Sequence, residues 1–170
     1  QLLADAAVRL ERGGADLLLL GTNTMHRCCA QIEAAIHIPF FHIADATADA
    51  LLAQGVTRVA LLGTSYTMEQ DFYKARLAAR GLTVDIPTAE ERQMIHNVIF
   101  DELCFGKVLP QSKAAYVRVI ERMAAAGAQG AILGCTEIGM LVKQADTAVP
   151  LFDTTIIHAR QVAALALADA

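Results

Sequence analysis

Two short stretches of the sequence carry side chains that could move protons. In the first, ILGCTEIGML, Cys135 stands between an apolar run of strand length and the start of a predicted helix. Amide groups and the dipole at a helix N-terminus stabilise a thiolate, so we expect the pKa of this thiol to be lowered toward neutrality. Such a thiol can act as a nucleophile or a base. The alternative is a small packing residue, because free cysteine is among the most buried residue types.

The second stretch, GTNTMH at 21–26, crowds small polar side chains behind a run of four leucines. Thr22, Asn23 and Thr24 follow the predicted strand directly. Small polar groups at the end of a buried strand favour a ligand site. The alternative is a helix N-cap, which prefers the same residue types.

An internal repeat relates the two stretches. Gly14 and Gly127 are 113 residues apart, and so are Thr22 and Cys135. Each copy reads as a helix, a glycine, an apolar strand and then a turn, and a looser third copy ends at Thr64. Because ligands bind beyond the carboxyl ends of parallel strands, the repeat predicts two half-sites that face one substrate.

The elements that must position these turns are strands alternating with helices. Continuous apolar runs at 17–20, 38–43, 59–62, 81–87, 131–133 and 149–154 are strand length, and helical patterns separate them. Apolar runs without polar alternation are typical of a parallel sheet that is covered on both faces. The sequence therefore predicts an α/β fold of flavodoxin-like or Rossmann-like type with mostly parallel sheets.

Three motifs together carry a family resemblance. TNTMH, LLGTSYTMEQDFY and LGCTEIGMLV resemble the aspartate/glutamate/hydantoin racemase family, and within it the aspartate-racemase-like, broad-specificity amino-acid racemases. The resemblance covers essentially the whole chain. It implies two pseudo-symmetric lobes with the active site in the cleft between them. It also implies an amino-acid substrate, no pyridoxal phosphate or other cofactor, and one cysteine from each lobe on opposite sides of the substrate Cα.

Carried over residue by residue, the resemblance assigns catalysis to Cys135 and Thr22. Thr22 stands where the family has its first cysteine, so we expect it to relay a proton or position a water molecule. The substrate-binding positions that the resemblance implies are Asn23, Thr24, Thr64, Thr136 and Glu137. Residues 136 and 137 are also the types that helix capping prefers. A lysine that some relatives use for the substrate's side-chain carboxylate aligns with Cys104, which leaves the preferred side chain open.

The predicted lobes divide the chain into three parts. Residues 1–43 are expected to be the remainder of the first lobe, residues 44–148 the second lobe, and residues 149–170 a strand and helix that return to the first lobe. The family's N-terminal strand and glycine-rich substrate loop have no counterpart in the sequence. We therefore expect an N-terminally truncated first lobe, and the activity of so short a chain is an open question.

Composition argues against several other classes of protein. A net charge of −4 with scattered Lys and Arg disfavours nucleic acid as a partner. We expect neither a membrane span nor an export signal, since the apolar runs are strand length. The cysteine pattern favours reduced thiols in a cytoplasmic protein. The five histidines lack zinc-ligand spacing, so no metal is predicted. His42 is read as a core histidine with its hydrogen bonds satisfied, and the alternative places His42 and Asp45 near the hinge.

The sequence thus predicts a cofactor-independent racemase that inverts the Cα of aspartate, glutamate or a broader set of amino acids. One alternative is a single-cysteine relative that resembles arylmalonate decarboxylase. Another is a catalytically degenerate protein that only binds an amino acid. Cys28 and Cys29 are read as packing residues, although either could supply the missing acid. The resemblance allows a homodimer.

Overall fold

Two parallel sheets organise the chain. The structure is a computed structural model that describes residues 1–168. The small sheet pairs β1 (Leu18–Leu19) with β2 (Phe40–Phe41). The large sheet is parallel throughout and has the order β4-β3-β5-β6, with β3 at Arg58–Gly63, β4 at Thr83–Asp85, β5 at Ala131–Gly134 and β6 at Leu151–Asp153.

Helices connect the strands and cover the sheets. The α-helices are α1 Leu2–Arg12, α2 Cys29–Glu33, α3 Ile43–Ala53, α4 Ser65–Glu69, α5 Asp71–Ala79, α6 Ala89–Asp101, α7 Pro110–Ala125, α8 Ile138–Leu141 and α9 Thr154–Ala168. Short 3-10 helices occupy Thr24–Cys28, Leu103–Phe105 and Gln144–Asp146. The segments that carry the candidate site residues are therefore the turns after β1, β3 and β5.

The sequence repeat is a repeat of backbone geometry. Gly14 after α1 and Gly127 after α7 have φ of 92° and 109°, values that L side chains rarely adopt. In both copies the amide that follows the glycine donates back five residues, from Ala15 to Leu10 and from Ala128 to Met123, at 3.2 and 3.1 Å. This is the Schellman arrangement that ends a helix and turns the chain into the next strand.

The large sheet holds the main core. Val59, Ala60, Leu61 and Leu62 of β3 are fully buried, as a continuous apolar run predicts. Its carboxyl end approaches β5 so closely that a Cβ on Gly63 would lie 2.9 Å from the carbonyl oxygen of Gly134. The paired glycines therefore let two strands end side by side.

The predicted fold class is confirmed, and two details are corrected. Residues 149–154 were expected to return to the first lobe, but β6 is an edge strand of the large sheet and pairs with β5. That prediction is wrong for the strand, because residue types do not specify which neighbour a strand pairs with. The strand expected at 81–87 is shorter, because only Thr83–Asp85 pair with β3. The other lobe boundaries stay a prediction, and residues 169–170 lie outside the described part of the chain.

Within residues 1–168, no helix is both long enough and apolar enough to cross a membrane.

Candidate active site

A cavity of about 170 Å³ lies where the turn after β1 meets the ends of β3 and β5. The volume is about six times that of a water molecule in the liquid, which leaves room for a small amino acid. The lining residues are Thr22, Asn23, Thr24, Thr64, Ile99, Phe100, Cys104, Gly134, Cys135, Thr136 and Glu137. Every residue that the sequence assigned to catalysis or substrate binding is among them. The structure brings these residues together, and their roles stay predictions.

Three threonine hydroxyls connect the two sides of the cavity. The Oγ1 atoms of Thr24, Thr64 and Thr67 form a triangle with 3.3 Å between each pair. Thr24 belongs to the turn after β1, whereas Thr64 caps α4 by accepting from the amide of Thr67. In a closed triangle each hydroxyl can donate to its neighbour. Rotation about the Cβ–Oγ1 bond would let one of these hydroxyls donate to another acceptor in the cavity instead.

The side chain of Asn23 is held at the cavity wall by a chain of two hydrogen bonds. The hydroxyl of Thr154 donates to the carbonyl oxygen of Leu133 at 3.0 Å, so its lone pairs face Asn23 and accept from Nδ2 at 3.0 Å. This arrangement fixes the orientation of the amide. Within residues 1–168, Oδ1 of Asn23 is buried and has no hydrogen-bond partner. An unpaired buried acceptor is costly, so any donor that reached it would be stabilised.

The turn that carries Thr22 is fixed from behind by a buried histidine. His26 is fully buried; its Nε2 accepts from the amide of Ile43 at 3.2 Å, and its Nδ1 donates to the carbonyl oxygen of Thr22 at 2.7 Å. A single neutral tautomer satisfies both bonds. Burial lowers the pKa of His26 to about 4, so the ring is uncharged at neutral pH.

Cys135 lies directly beyond β5 with its thiol hydrogen-bonded. Its Sγ donates to Oε2 of Glu137 at 2.9 Å, and the hydroxyl of Thr136 donates to the same oxygen at 2.6 Å. Burial, the larger cause, and the bond to Glu137 raise the pKa of Cys135 to about 12. Burial alone would raise the pKa of Glu137, but the two donors outweigh it and hold that pKa below its ordinary value.

The expected lowering of the Cys135 pKa is therefore wrong. The helix behind the thiol, α8, has only four residues and begins at Ile138, so its dipole is small. The carboxylate of Glu137, two residues along the chain, accepts a hydrogen bond from the thiol. Its negative charge also disfavours a thiolate beside it. At rest the group is a protonated thiol with a carboxylate acceptor in contact.

The family identity follows from comparison with known proteins. A sequence model of the Asp/Glu/Hydantoin racemase family matches residues 1–162. The chain belongs to this family. Membership makes the protein an isomerase of the racemase type, with the α/β fold of parallel sheets described above.

Individual racemase relatives cover nearly the whole chain. The broad-specificity amino-acid racemase RacX of Bacillus subtilis (strain 168) is 22% identical over 166 residues, which are 98% of this chain and 71% of that protein. A crystal structure from Yersinia pestis assigned as an Asp/Glu racemase has a TM-score of 0.93 and 48% identity, and covers 98% of this chain and 73% of its own. An aspartate racemase homologue from Pyrococcus horikoshii OT3 has a TM-score of 0.88 and 39% identity over 97% and 73% of the two chains.

Several residues of this racemase that the sequence singled out lie elsewhere. Cys28 and Cys29 are half-buried in the 3-10 helix at Thr24–Cys28 and at the start of α2, and neither lines the cavity. His42 caps α3 by accepting from the amide of Ala44, and Asp45 pairs with Arg76 of α5 at 2.7 Å. These two form part of the packing behind the cavity.

Sequence reasoning missed the far wall and part of the support of the racemase cavity. Ile99 and Phe100 of α6 line it together with Cys104, which follows four residues after Phe100. Thr154 could have been predicted from the sequence, because it is a small polar residue at the end of a strand, like Thr22 and Thr64. Thr67 gave no signal, since a buried threonine inside a helix usually only packs.

Proposed function

We propose that the protein is an amino-acid racemase that inverts the Cα of aspartate, glutamate or a broader set of amino acids without pyridoxal phosphate. One observation carries the proposal. Thr22 of the first half of the repeat and Cys135 of the second line the same small cavity, although they are 113 residues apart. The names of the relatives, a broad-specificity amino-acid racemase and an aspartate racemase homologue, support this substrate class.

The polar lining suggests how a substrate would be oriented. The hydroxyls of Thr24 and Thr64 can donate to an α-carboxylate once their mutual hydrogen bond opens. The buried Oδ1 of Asn23 accepts from the ammonium group. These contacts would hold the two polar groups of the amino acid. Its Cα–H bond would then point to the base, and the opposite side of Cα would face the acid.

On the Cys135 side, the proposed step needs a thiolate. The Sγ proton passes to Oε2 of Glu137, the thiolate removes the α-proton, and the electron pair of the broken C–H bond is delocalised into the carboxylate as an enediolate. On the opposite side, Thr22 or a water molecule that it holds gives a proton to Cα. Solvent then restores the proton that Thr22 gave. Cys135 keeps the α-proton as its thiol proton, and Glu137 releases its proton to solvent, which restores the resting pair of thiol and carboxylate.

The raised thiol pKa sets a requirement on this step. With the pKa of Cys135 at about 12 and that of Glu137 lowered, proton transfer between them is unfavourable in the free site. An ammonium group beside the pair favours the thiolate, because an opposite charge stabilises the charged form. We therefore infer that substrate binding itself generates the base.

Isotope exchange in D2O tests the proposal. Aspartate, glutamate and a neutral amino acid are each incubated as single enantiomers with the protein, and deuterium at Cα is followed by mass spectrometry. The wild type is expected to exchange the α-hydrogen, Cys135→Ser to abolish the exchange, and Thr22→Cys to increase it. Cys28→Ser is the matched control, since that thiol lies outside the cavity. Unchanged exchange in Cys135→Ser and Thr22→Cys would refute these roles.

A second candidate function has one observation in its favour. A thiol that rests protonated against a carboxylate is arranged to give a proton, which is what a single-cysteine decarboxylase of the arylmalonate type requires. In that reaction carbon dioxide leaves a malonate and the thiol protonates the enolate. Release of carbon dioxide from a phenylmalonate, together with no deuterium at the Cα of any amino acid, would favour this function over racemisation.

A further inference from the structure

His26 connects the candidate catalytic turn to the rest of the fold. It lies four residues after Thr22, does not line the cavity and is fully buried. Its ring bridges two backbone groups of different segments, the carbonyl oxygen of Thr22 and the first amide of α3 at Ile43. The bond to Thr22 is the shorter of the two, at 2.7 against 3.2 Å.

We propose that His26 is a positioning residue for the racemase reaction: its neutral ring ties the turn Thr22–Thr24 to the N-terminus of α3 and so fixes Thr22 at the cavity wall. The proposal rests on the proposed function for its catalytic consequence. The tie itself rests on geometry alone.

The ring can make both bonds only while it is neutral. Protonation puts a hydrogen on Nε2, which then cannot accept from the amide of Ile43. It also places a cation at the positive end of the dipole of α3. The tie is therefore expected to break on acidification.

The positive groups around His26 oppose its protonation. His42, which precedes α3, has its ring centroid 4.3 Å from that of His26, and the ring of His158 on α9 is 6.0 Å away. Positive charge from His158 and from Arg76 of α5 opposes protonation of His26. Asp45 of α3, the neighbouring carboxylate, is already held by Arg76 through two hydrogen bonds of 2.9 and 2.7 Å. Burial and the positive charges of His158 and Arg76 therefore favour the neutral ring and outweigh the hydrogen bond to Thr22, which acts in the opposite direction.

Two variants of similar size separate the two bonds of the ring. In H26N the amide nitrogen can occupy the place of Nδ1 and keep the bond to Thr22, whereas in H26Q the amide oxygen can occupy the place of Nε2 and keep the bond to Ile43. Both remove the titrating ring and leave comparable space behind. The control is H37N, because the His37 side chain is 95% exposed.

The first measurement is α-deuterium exchange from each enantiomer. H26Q is expected to lose about 10²-fold in rate, the usual consequence of misplacing a reacting group by about 1 Å. Its loss should be unequal for the two enantiomers, because Thr22 faces only one side of Cα. H26N keeps the bond to Thr22 but loses the link to α3, so it should lose less than H26Q, and H37N should keep the wild-type rate and its enantiomer ratio. Equal losses in H26N and H26Q, with an unchanged ratio, would mean a structural role only and would overturn the proposal.

The second measurement, backbone amide hydrogen exchange, tests the two hydrogen bonds of the His26 ring independently of catalysis. Backbone amide exchange of His26, whose N–H donates to the carbonyl oxygen of Asn23 at 3.2 Å, reports order in the turn, and that of Ile43 reports the other bond. In H26Q the backbone amide of residue 26 should exchange faster than in the wild type. In H26N the backbone amide of Ile43 should exchange faster. On acidification toward about pH 4, the wild type should lose protection at the Ile43 amide, whereas H26N, which already lacks that bond, should change little. Identical amide exchange in both variants would overturn the tie.

The two readouts distinguish the failure of either proposal. If no substrate hydrogen exchanges in the wild type but the amide pattern holds, the proposed function fails and the tie stands. If substrate exchanges and H26Q equals the wild type in both measurements, the positioning role fails and the function stands.

Discussion

Glu137→Gln tests how the site controls its thiol. Two donors, the Sγ–H of Cys135 at 2.9 Å and the Oγ1–H of Thr136 at 2.6 Å, converge on one carboxylate oxygen of Glu137. The substitution keeps the size and an acceptor oxygen but removes the negative charge. We expect the pKa of Cys135 to fall, because the charge that opposes a thiolate is gone.

The size of the effect is bounded by the two causes of the shift. Burial, the larger cause, remains in the variant, so the pKa of Cys135 should fall below about 12 but stay above the ordinary 9.0. At about pH 9 the wild-type thiolate fraction is roughly one in a thousand, and each unit of decrease raises it about tenfold. A less basic thiolate is also a weaker nucleophile. The net gain in alkylation rate is therefore roughly threefold for each unit by which the pKa falls.

Alkylation by iodoacetamide over a range of pH gives the measurement. The peptide that contains Cys135 is quantified by mass spectrometry, with the peptide of Cys28 as an internal reference. Glu102→Gln is the matched control, since the Glu102 carboxylate accepts from Ser112 at 2.6 Å and makes no hydrogen bond to the thiol. Alkylation of Cys135 that is unchanged or slower in Glu137→Gln would refute the reasoning. Faster alkylation should be accompanied by slower α-hydrogen exchange, because the variant cannot take up the thiol proton.

Three further predictions concern stability and binding. Gly134→Ala should destabilise the fold by about 1–3 kcal/mol in urea unfolding, because its Cβ would lie 2.9 Å from the carbonyl oxygen of Leu62, whereas Gly21→Ala, with open space around it, should not. The pKa values of His26 and His42 are lowered by burial to about 4 and about 3 from 6.5. Their contribution to stability is therefore complete above about pH 6.5 and is lost as the pH falls toward 4 and 3; a flat unfolding free energy across that window would contradict the burial of neutral rings. Thr67→Val removes the hydroxyl from the triangle and should raise KM more than it lowers kcat. Thr67→Ser keeps the hydroxyl and should have a KM near the wild-type value. An equal effect of the two variants on KM would point to packing instead.

The sequence predicted the elements and the family well because local patterns specify both. The glycine after the helix, the apolar strand and the following turn recur 113 residues apart at Thr22 and Cys135, and a looser copy ends at Thr64. This repeat alone marks the three residues as candidates for the site. The alternation of helices with short apolar strands was enough for a parallel α/β fold. Strand pairing was not predictable in the same way, and β6 joined the large sheet instead of returning to the first lobe.

The electrostatic state of the site was decided by tertiary structure. Residue types placed Cys135 at a helix N-terminus, which predicts a lowered thiol pKa, but burial and the carboxylate of Glu137 reverse the direction. Burial depends on what packs around a group, and nothing in the residues next to Cys135 states it. The same holds for His26, since its two bonds depend on how the turn after β1 meets α3.

What the sequence determined by itself was therefore the set of turns that carry reactive groups. The tertiary structure decided that these turns share one cavity, which thiols line it, and in which protonation state Cys135 and His26 rest. The physical reason is range: backbone conformation follows from neighbours in the chain, whereas solvation and charge follow from neighbours in space.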